Sequence, residues 1–91
     1  MTTNPTSKVY TFHSDPGHGW LEVSRAEINA LGIADKISRF SYQNGNSVFL
    51  EEDSDASKFM NAYKEKYGVE IQYVEKHKDV TPIRNYYNYQ S

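Results

Sequence analysis

The stretch Trp20-Leu21-Glu22-Val23-Ser24-Arg25-Ala26-Glu27-Ile28 decides how the first half of this chain folds. Ser24 and Glu27 have the spacing of a capping box, in which the serine hydroxyl accepts a hydrogen bond from the Glu27 amide and the glutamate side chain accepts one from the Ser24 amide. Gly32 is a typical residue to end a helix, because it tolerates the left-handed backbone of a C-terminal cap. The pattern therefore predicts a short helix over residues 25–31.

The residues before this helix predict a β-hairpin. Val9-Tyr10-Thr11-Phe12 is rich in the β-branched and aromatic side chains that favour strands, and Trp20-Leu21-Glu22-Val23 predicts the returning strand. Between them, Asp15-Pro16-Gly17 is typical of a tight turn, since proline presets its backbone angle and glycine can adopt a positive one. A hairpin that leads directly into a capped helix forms a first ββα unit.

A second hairpin is predicted around Gln43-Asn44-Gly45-Asn46, because Asn-Gly is a strong turn signal between two apolar segments. Its strands are 39–42 and 47–50. A two-residue loop at Asn44-Gly45 would place Phe40 opposite Phe49, whereas a three-residue loop from Gln43 to Gly45 would place it opposite Val48. We predict the second register, because it puts four large side chains on one face and a one-residue slip would reverse them. These side chains are Phe40, Tyr42, Val48 and Leu50.

A second helix and a last strand complete the pattern. Asp53 or Ser54 can cap the helix, Gly68 ends it, and its apolar stripe repeats at helical spacing. The stripe consists of Ala56, Phe59, Met60, Tyr63 and Tyr67. Val69-Glu70-Ile71-Gln72-Tyr73 alternates between apolar and polar residues as a strand does. The order ββα-ββα-β predicts an α+β fold with a mainly antiparallel five-stranded sheet and both helices packed on one face.

The chain is predicted to form one domain with two less structured ends. Residues 1–7 are predicted to be a flexible N-terminus, 8–77 a single α+β domain, and 78–91 a tyrosine-rich C-terminal tail. A chain of this length buries only about 60–65% of the surface that its unfolded form exposes, so its core is thin.

Composition excludes several classes of protein. The 91 residues contain no cysteine, which excludes disulfides, thiolate zinc sites and a cysteine nucleophile. The net charge of −2 does not favour a protein that binds nucleic acid mainly through its phosphates. The N-terminus lacks the pattern of a signal peptide, and no apolar run approaches the roughly 20 residues that span a bilayer. We therefore predict a cytoplasmic protein without membrane contact and without a cofactor.

His13, Asp15 and His18 are the candidate metal ligands, because they lie close together in the sequence. Their spacing matches no established site, and a zinc ion would need a further ligand such as His77 or Glu22. The turn also explains Asp15 without a metal. Since no serine lies in a recognisable nucleophile motif, we predict neither a metal site nor a catalytic residue. A metal-binding domain or metal-assisted enzyme that uses these three residues is the alternative.

Three surfaces are candidates for binding a protein partner. Strand alternation turns Trp20, Phe49 and Val74 away from the helices, onto a face that is open unless the tail folds back over it. The tail has the tyrosine-rich and amide-rich composition of contact surfaces, and packing on its own domain is the alternative. The acidic residues before the second helix form a dense patch, which a solvated helix start also explains. The predicted partner-binding residues are Trp20, Phe49, Glu51, Glu52, Asp53, Tyr86, Tyr87 and Tyr89.

The segment His13-Ser14-Asp15-Pro16-Gly17-His18-Gly19-Trp20-Leu21-Glu22-Val23, followed by Leu31-Gly32-Ile33 and Lys36-Ile37-Ser38, resembles small, mostly uncharacterised proteins carried by phages and other mobile elements. The likeness runs from Tyr10 to about Arg84 and brings no catalytic motif. It implies a setting in which such proteins inhibit host machinery, including defence complexes such as CRISPR effectors.

These patterns predict a small non-enzymatic protein-binding module, an inhibitor or adaptor of the anti-CRISPR kind that acts in the host cytosol. A homodimer would equally account for an open sheet face. Besides the metal-dependent alternative, a single-stranded nucleic-acid binder would stack bases on Trp20 and the tail tyrosines.

Overall fold

A six-stranded sheet with two helices on one of its faces is the architecture of the computed structural model, which describes residues 8–91. The predicted flexible N-terminus, residues 1–7, lies outside the described residues. The strands are β1 (Val9–Ser14), β2 (Gly19–Ser24), β3 (Tyr42–Asn44), β4 (Ser47–Glu51), β5 (Gln72–His77) and β6 (Tyr87–Asn88). The helices are α1 (Arg25–Ala30) and α2 (Asp55–Tyr67), and 3₁₀ turns occupy Ala34–Lys36 and Pro82–Asn85. The strand order is β5-β1-β2-β4-β3-β6, and the predicted α+β class is confirmed.

The predicted capping box forms at the start of α1. Ser24 Oγ accepts a hydrogen bond from the Glu27 amide at 3.1 Å, and Glu27 Oε1 accepts one from the Ser24 amide at 2.8 Å. The other carboxylate oxygen of Glu27 accepts a hydrogen bond from the Tyr10 hydroxyl at 2.6 Å. The cap therefore also ties the helix to β1, and an N-cap serine of this kind typically contributes about 1 kcal/mol of stability.

The sheet face against the helices, called the helix face below, carries the main core. The predicted stripe of α2 packs on it, with Ala56, Phe59 and Tyr63 buried and Met60 and Tyr67 at its margin. The sheet contributes Tyr10, Leu21, Val23, Val48 and Leu50 to the same cluster. Because burial of a large apolar side chain contributes about 1.5–3 kcal/mol, this cluster is the main source of stability.

The second hairpin has a different turn from the one predicted. Asn44 pairs with Ser47, which leaves a two-residue turn at Gly45-Asn46. Gly45 has φ of 60°, a left-handed conformation that favours glycine at the first position of a type II′ turn. The predicted three-residue loop is wrong, and so is its alternative at Asn44-Gly45. Phe40 lies before β3 and is 78% exposed, instead of facing Val48 in the core.

The segment that contains Phe40 also contributes to a buried polar cluster. Asp55 Oδ2 accepts hydrogen bonds from the hydroxyls of Ser38 and Ser41, each at 2.6 Å. Lys58 Nζ lies 3.2 Å from the other carboxylate oxygen. Burial alone would raise the pKa of Asp55, but the hydrogen bonds from Ser38, Ser41 and Lys58 outweigh it and lower that pKa. This cluster joins the segment before β3 to the start of α2.

The last long strand is shifted along the chain and parallel to its neighbour. It was predicted at 69–73, but β5 begins at Gln72 because residues 69–71 return the chain from the helix layer to the sheet. Val9 aligns with Gln72, and Ser14 aligns with His77, in a parallel ladder with β1. The predicted five-stranded, mainly antiparallel sheet is therefore corrected to six strands of mixed direction.

The C-terminal segment, residues 78–91, is built into the fold. Ile83 is buried on the sheet face opposite the helices, and β6 pairs with β3 at the edge of the sheet. Tyr89 then reaches the helix-face cluster, where its hydroxyl donates a hydrogen bond to the carbonyl of Ala34 at 2.6 Å. The segment therefore contributes side chains to both faces. No helix within residues 8–91 is long and apolar enough to cross a membrane.

Candidate functional site

The sheet face opposite the helices, called the covered face below, lies under the C-terminal segment. Strand alternation does place Trp20 and Phe49 on it, but they are only 2% and 6% exposed. Ile83 and Tyr86 pack over them, with the rings of Tyr86 and Phe49 5.2 Å apart. Of the two alternatives for this face, open or covered by the tail, the structure has the second, because the segment folds back over it. Trp20 and Phe49 are therefore not available to a partner in this structure.

Three neighbours enclose the Trp20 indole. The His18 ring stacks on it at 5.9 Å, and the Tyr42 ring meets it edge-on at 6.3 Å. The Arg84 guanidinium lies 5.8 Å from the indole centroid, in the range of a cation–π contact. Base stacking on Trp20, which the nucleic-acid hypothesis requires, would need these contacts to open.

Asp15 anchors the C-terminal segment to the first hairpin. Its Oδ1 accepts hydrogen bonds from the amides of Gly17 and His18, which fixes the predicted turn. Arg84 donates to both carboxylate oxygens, each at 2.8 Å. The hydrogen bonds from Arg84, followed by those from the two amides, hold the pKa of Asp15 well below its ordinary range. The same pairing raises the pKa of Arg84. A bidentate pair thus joins residues that lie 69 positions apart.

The three candidate metal ligands take part in separate interactions. His13 Nε2 lies 2.7 Å from Glu22 Oε1, Asp15 pairs with Arg84, and His18 Nδ1 lies 2.8 Å from a guanidinium nitrogen of Arg84. Within residues 8–91, no group of three His, Cys, Asp or Glu side chains is placed to hold a metal ion. The site that the metal-dependent alternative requires is therefore not formed.

The acidic residues around the start of α2 have different surroundings. Glu51 and Asp53 line a shallow depression of about 180 Å³ beside Trp20, so three of the predicted partner-binding residues do lie together. Glu52 is exposed in the turn after β4. Asp55 is fully buried by its serine neighbours. The solvated part of the acidic patch is therefore the turn, and the helix start serves the fold.

The three predicted contact tyrosines differ in exposure. Tyr86 is half-buried against Phe49, and Tyr89 is buried in the helix-face core. Tyr87, on β6, is 83% exposed. Of the three, Tyr87 alone presents its whole ring to solvent.

The outer edge of β5 is a surface that the sequence interpretation missed. All six residues of this strand are exposed, and within the described part of the chain it has no neighbour beyond β1. Tyr73 and Val74 are about half exposed, as is Val9 on β1. The register places Val9 and Val74 on the same side of the sheet. Placing the last strand at 69–73 hid this edge, because the charged residues after Val74 then fell outside the strand.

The backbone of β5 presents unused hydrogen-bonding groups at this edge. The amide of Lys78 donates to the carbonyl of Ser14 on β1 at 2.9 Å, which continues the ladder. Since alternate residues of a strand direct their backbone groups to opposite sides, those of Tyr73, Glu75 and His77 point away from β1. Such a row of unpaired amides and carbonyls is a template for pairing with another chain.

Comparison of the chain with protein-family models, with curated proteins and with solved structures finds no match.

Proposed function

We propose that this chain is a non-enzymatic protein-binding module that takes up an extended segment of a protein partner along the outer edge of β5. The observation that carries the proposal is a six-residue edge strand whose residues are all exposed and whose backbone groups at Tyr73, Glu75 and His77 face outward. Addition of a strand to an exposed edge is a common mode of peptide recognition, in which backbone hydrogen bonds supply affinity and alternate side chains supply specificity.

The composition of β5 supports specific binding rather than nonspecific association. Its first half, Gln72-Tyr73-Val74, is uncharged and offers exposed apolar surface. Its second half, Glu75-Lys76-His77, carries charged and titratable side chains of the kind that keep edge strands from pairing indiscriminately. A partner strand with an apolar residue beside Val74 and a basic residue beside Glu75 fits this order. The opposite edge, β6, has only two residues and is too short for the same role.

We also propose a biological setting, on the basis of the sequence resemblance alone. Likeness to small phage and mobile-element proteins over Tyr10 to about Arg84 favours an inhibitor or adaptor of host machinery in the host cytosol, with a defence complex as one such target. Strand addition suits an inhibitor, because it can occupy an edge or an extended segment that the target needs for its own assembly.

The decisive experiment separates the backbone of β5 from its side chains. A peptide library is panned against the immobilised chain, and dissociation constants of the enriched peptides are then measured for two variants, Tyr73→Pro and Tyr73→Ala. Both remove the ring that packs near Phe12, but only proline removes the outward amide. Proline is tolerated at edge positions whose amide faces solvent. Since one hydrogen bond contributes about 1 kcal/mol, Tyr73→Pro should bind several-fold more weakly than Tyr73→Ala.

Two results would contradict the proposal. One is equal binding by the proline and alanine variants when both have wild-type circular dichroism. The other is a bound peptide that protects amides elsewhere than at Tyr73, Glu75 and His77 from hydrogen exchange. Light scattering on the free chain gives an independent check, because a stable homodimer through β5 would occupy the edge and leave none for a foreign segment.

A further inference from the structure

Beyond the edge of β5, a separate cavity lies between the covered face and the C-terminal segment. Its volume is about 350 Å³, within the range of small-ligand pockets. His13, Glu22 and Phe49 line its floor on the sheet, and Thr81, Ile83 and Tyr86 line the opposite wall. The cavity thus exists because the C-terminal segment folds back over the sheet.

The charges around this cavity do not balance. Its carboxylate, Glu22, is already paired, with Oε1 at 2.7 Å from His13 Nε2 and Oε2 at 3.4 Å from the Ser47 hydroxyl. Two lysines, Lys76 and Lys78, also line the cavity. Neither lysine side chain has an ion pair or a hydrogen bond within residues 8–91. Among the lining residues, the cavity therefore has a surplus of positive charge that no ion pair within residues 8–91 neutralises.

The walls of the cavity also offer aromatic surface and an unpaired hydroxyl. Phe49 and Tyr86 supply aromatic surface beside the lysines, with their rings 5.2 Å apart. The hydroxyl of Thr81 is buried and has no hydrogen-bond partner, the single such side-chain atom in the described part of the chain. Buried polar groups nearly always have partners, so this hydroxyl is an unusual feature of the wall.

We infer that this cavity binds a small molecule that combines an anionic phosphate or carboxylate group with a compact apolar ring. The anionic group lies between Lys76 and Lys78, where charge-assisted hydrogen bonds hold it. The ring packs against Phe49 and Tyr86. This site is independent of strand addition, since it uses the side chain of Lys76 and not the outward backbone of β5.

The test is a titration of the isotopically labelled full chain, followed by amide chemical shifts. Phenyl phosphate and benzoate are the probes, because they share a ring and differ in the anionic group, and phenol is their neutral control. Saturable shifts at Lys76, Lys78, Thr81 and Tyr86 with phenyl phosphate alone would assign a phosphate ligand, and with benzoate alone a carboxylate ligand. Shifts with both probes would show that the shared negative charge is what is recognised.

A charge-matched pair of variants tests the role of the lysines. Lys76→Gln/Lys78→Gln should weaken binding about ten-fold, the effect of two partly exposed charge contacts. Lys36→Gln/Lys64→Gln removes the same number of charges from exposed positions that do not line the cavity, and it should change binding by less than about two-fold. Equal weakening by the two double variants, equal binding of phenol, or no saturable shift at the cavity would overturn the inference. None of these outcomes bears on the β5 edge, which the Tyr73 variants test separately.

Discussion

The two faces of the sheet are stabilised in different ways. On the helix face, twelve buried residues form one cluster, most of them from helices and strands that are adjacent in the sequence. On the covered face, three buried residues form a much smaller cluster, closed by a segment from the other end of the chain and by the Asp15–Arg84 pair. The difference indicates that the helix face provides most of the free energy of unfolding. The covered face is the part that can open locally, at a lower free energy than global unfolding requires.

Truncation in the helix-face core should have the largest effect. Phe59 is fully buried and touches Tyr10 and Tyr63 through its ring. Phe59→Ala should lower the free energy of unfolding by about 3–5 kcal/mol, measured by urea denaturation. The control is Met60→Ala, at the adjacent, half-buried position, and it should lower the free energy of unfolding clearly less. Equal losses for the two would mean that α2 does not pack in the orientation described.

Truncation under the covered face should cost less and leave a local signature. Ile83→Ala should lower the free energy of unfolding by about 2 kcal/mol, the low end for such a change, because the neighbouring cavity lets the site relax. Trp20 fluorescence should shift to longer wavelength, since Ile83 belongs to the cluster that shields the indole. An unchanged emission maximum would contradict the description of the covered face.

The Asp15–Arg84 pair should make the covered face sensitive to acid. The pKa of Asp15 is lowered in the folded state, so the stabilisation it gives is fully present above its ordinary value of 3.8 and is lost as the pH falls through the lower folded value. Arg84→Gln should therefore lower the Tm at neutral pH, and the gap from wild type should narrow below about pH 4. Arg39→Gln is the control, at an exposed position whose side chain has no hydrogen bond or ion pair within residues 8–91. A gap that does not change with pH would contradict the assigned role of the pair.

The smallest effect is expected at a residue that the sequence interpretation placed in the core. Phe40→Ser should change the free energy of unfolding by no more than about 0.5 kcal/mol, because the ring is largely exposed. If the free energy of unfolding fell by about 3 kcal/mol, the result would instead support the predicted register, in which Phe40 faces Val48.

The features that could be predicted from the sequence are those determined by residues close together in the chain. The capping box at Ser24 and Glu27, the stripe of α2 and the turn at Asp15 each depend on side chains within one or two turns of the backbone, and all three formed. The register of the second hairpin was missed, because counting large apolar side chains favoured Phe40, while the buried carboxylate of Asp55 required Ser41.

The candidate site depends mostly on contacts between residues far apart in the sequence. Fewer of its features could therefore be predicted from the sequence. Arg84 has no local feature that identifies Asp15 as its partner, so the closing of the covered face could not be derived from spacing. The exposure of β5 likewise depends on its place at the end of the strand order. The alternation that turned Trp20 and Phe49 to one face was correct, but alternation does not show what lies over a face.

Tyr89 also affects the order in which the chain can mature during synthesis. Its ring belongs to the helix-face core and its amide donates a hydrogen bond to the carbonyl of Ser41, so a nascent chain whose residues 83–89 are still inside the ribosome lacks part of both faces. Until then Trp20 and Phe49 remain uncovered on a preformed sheet, an apolar surface of the kind that chaperones recognise and that promotes aggregation. The covered face can therefore close only after residues 83–89 have left the ribosome.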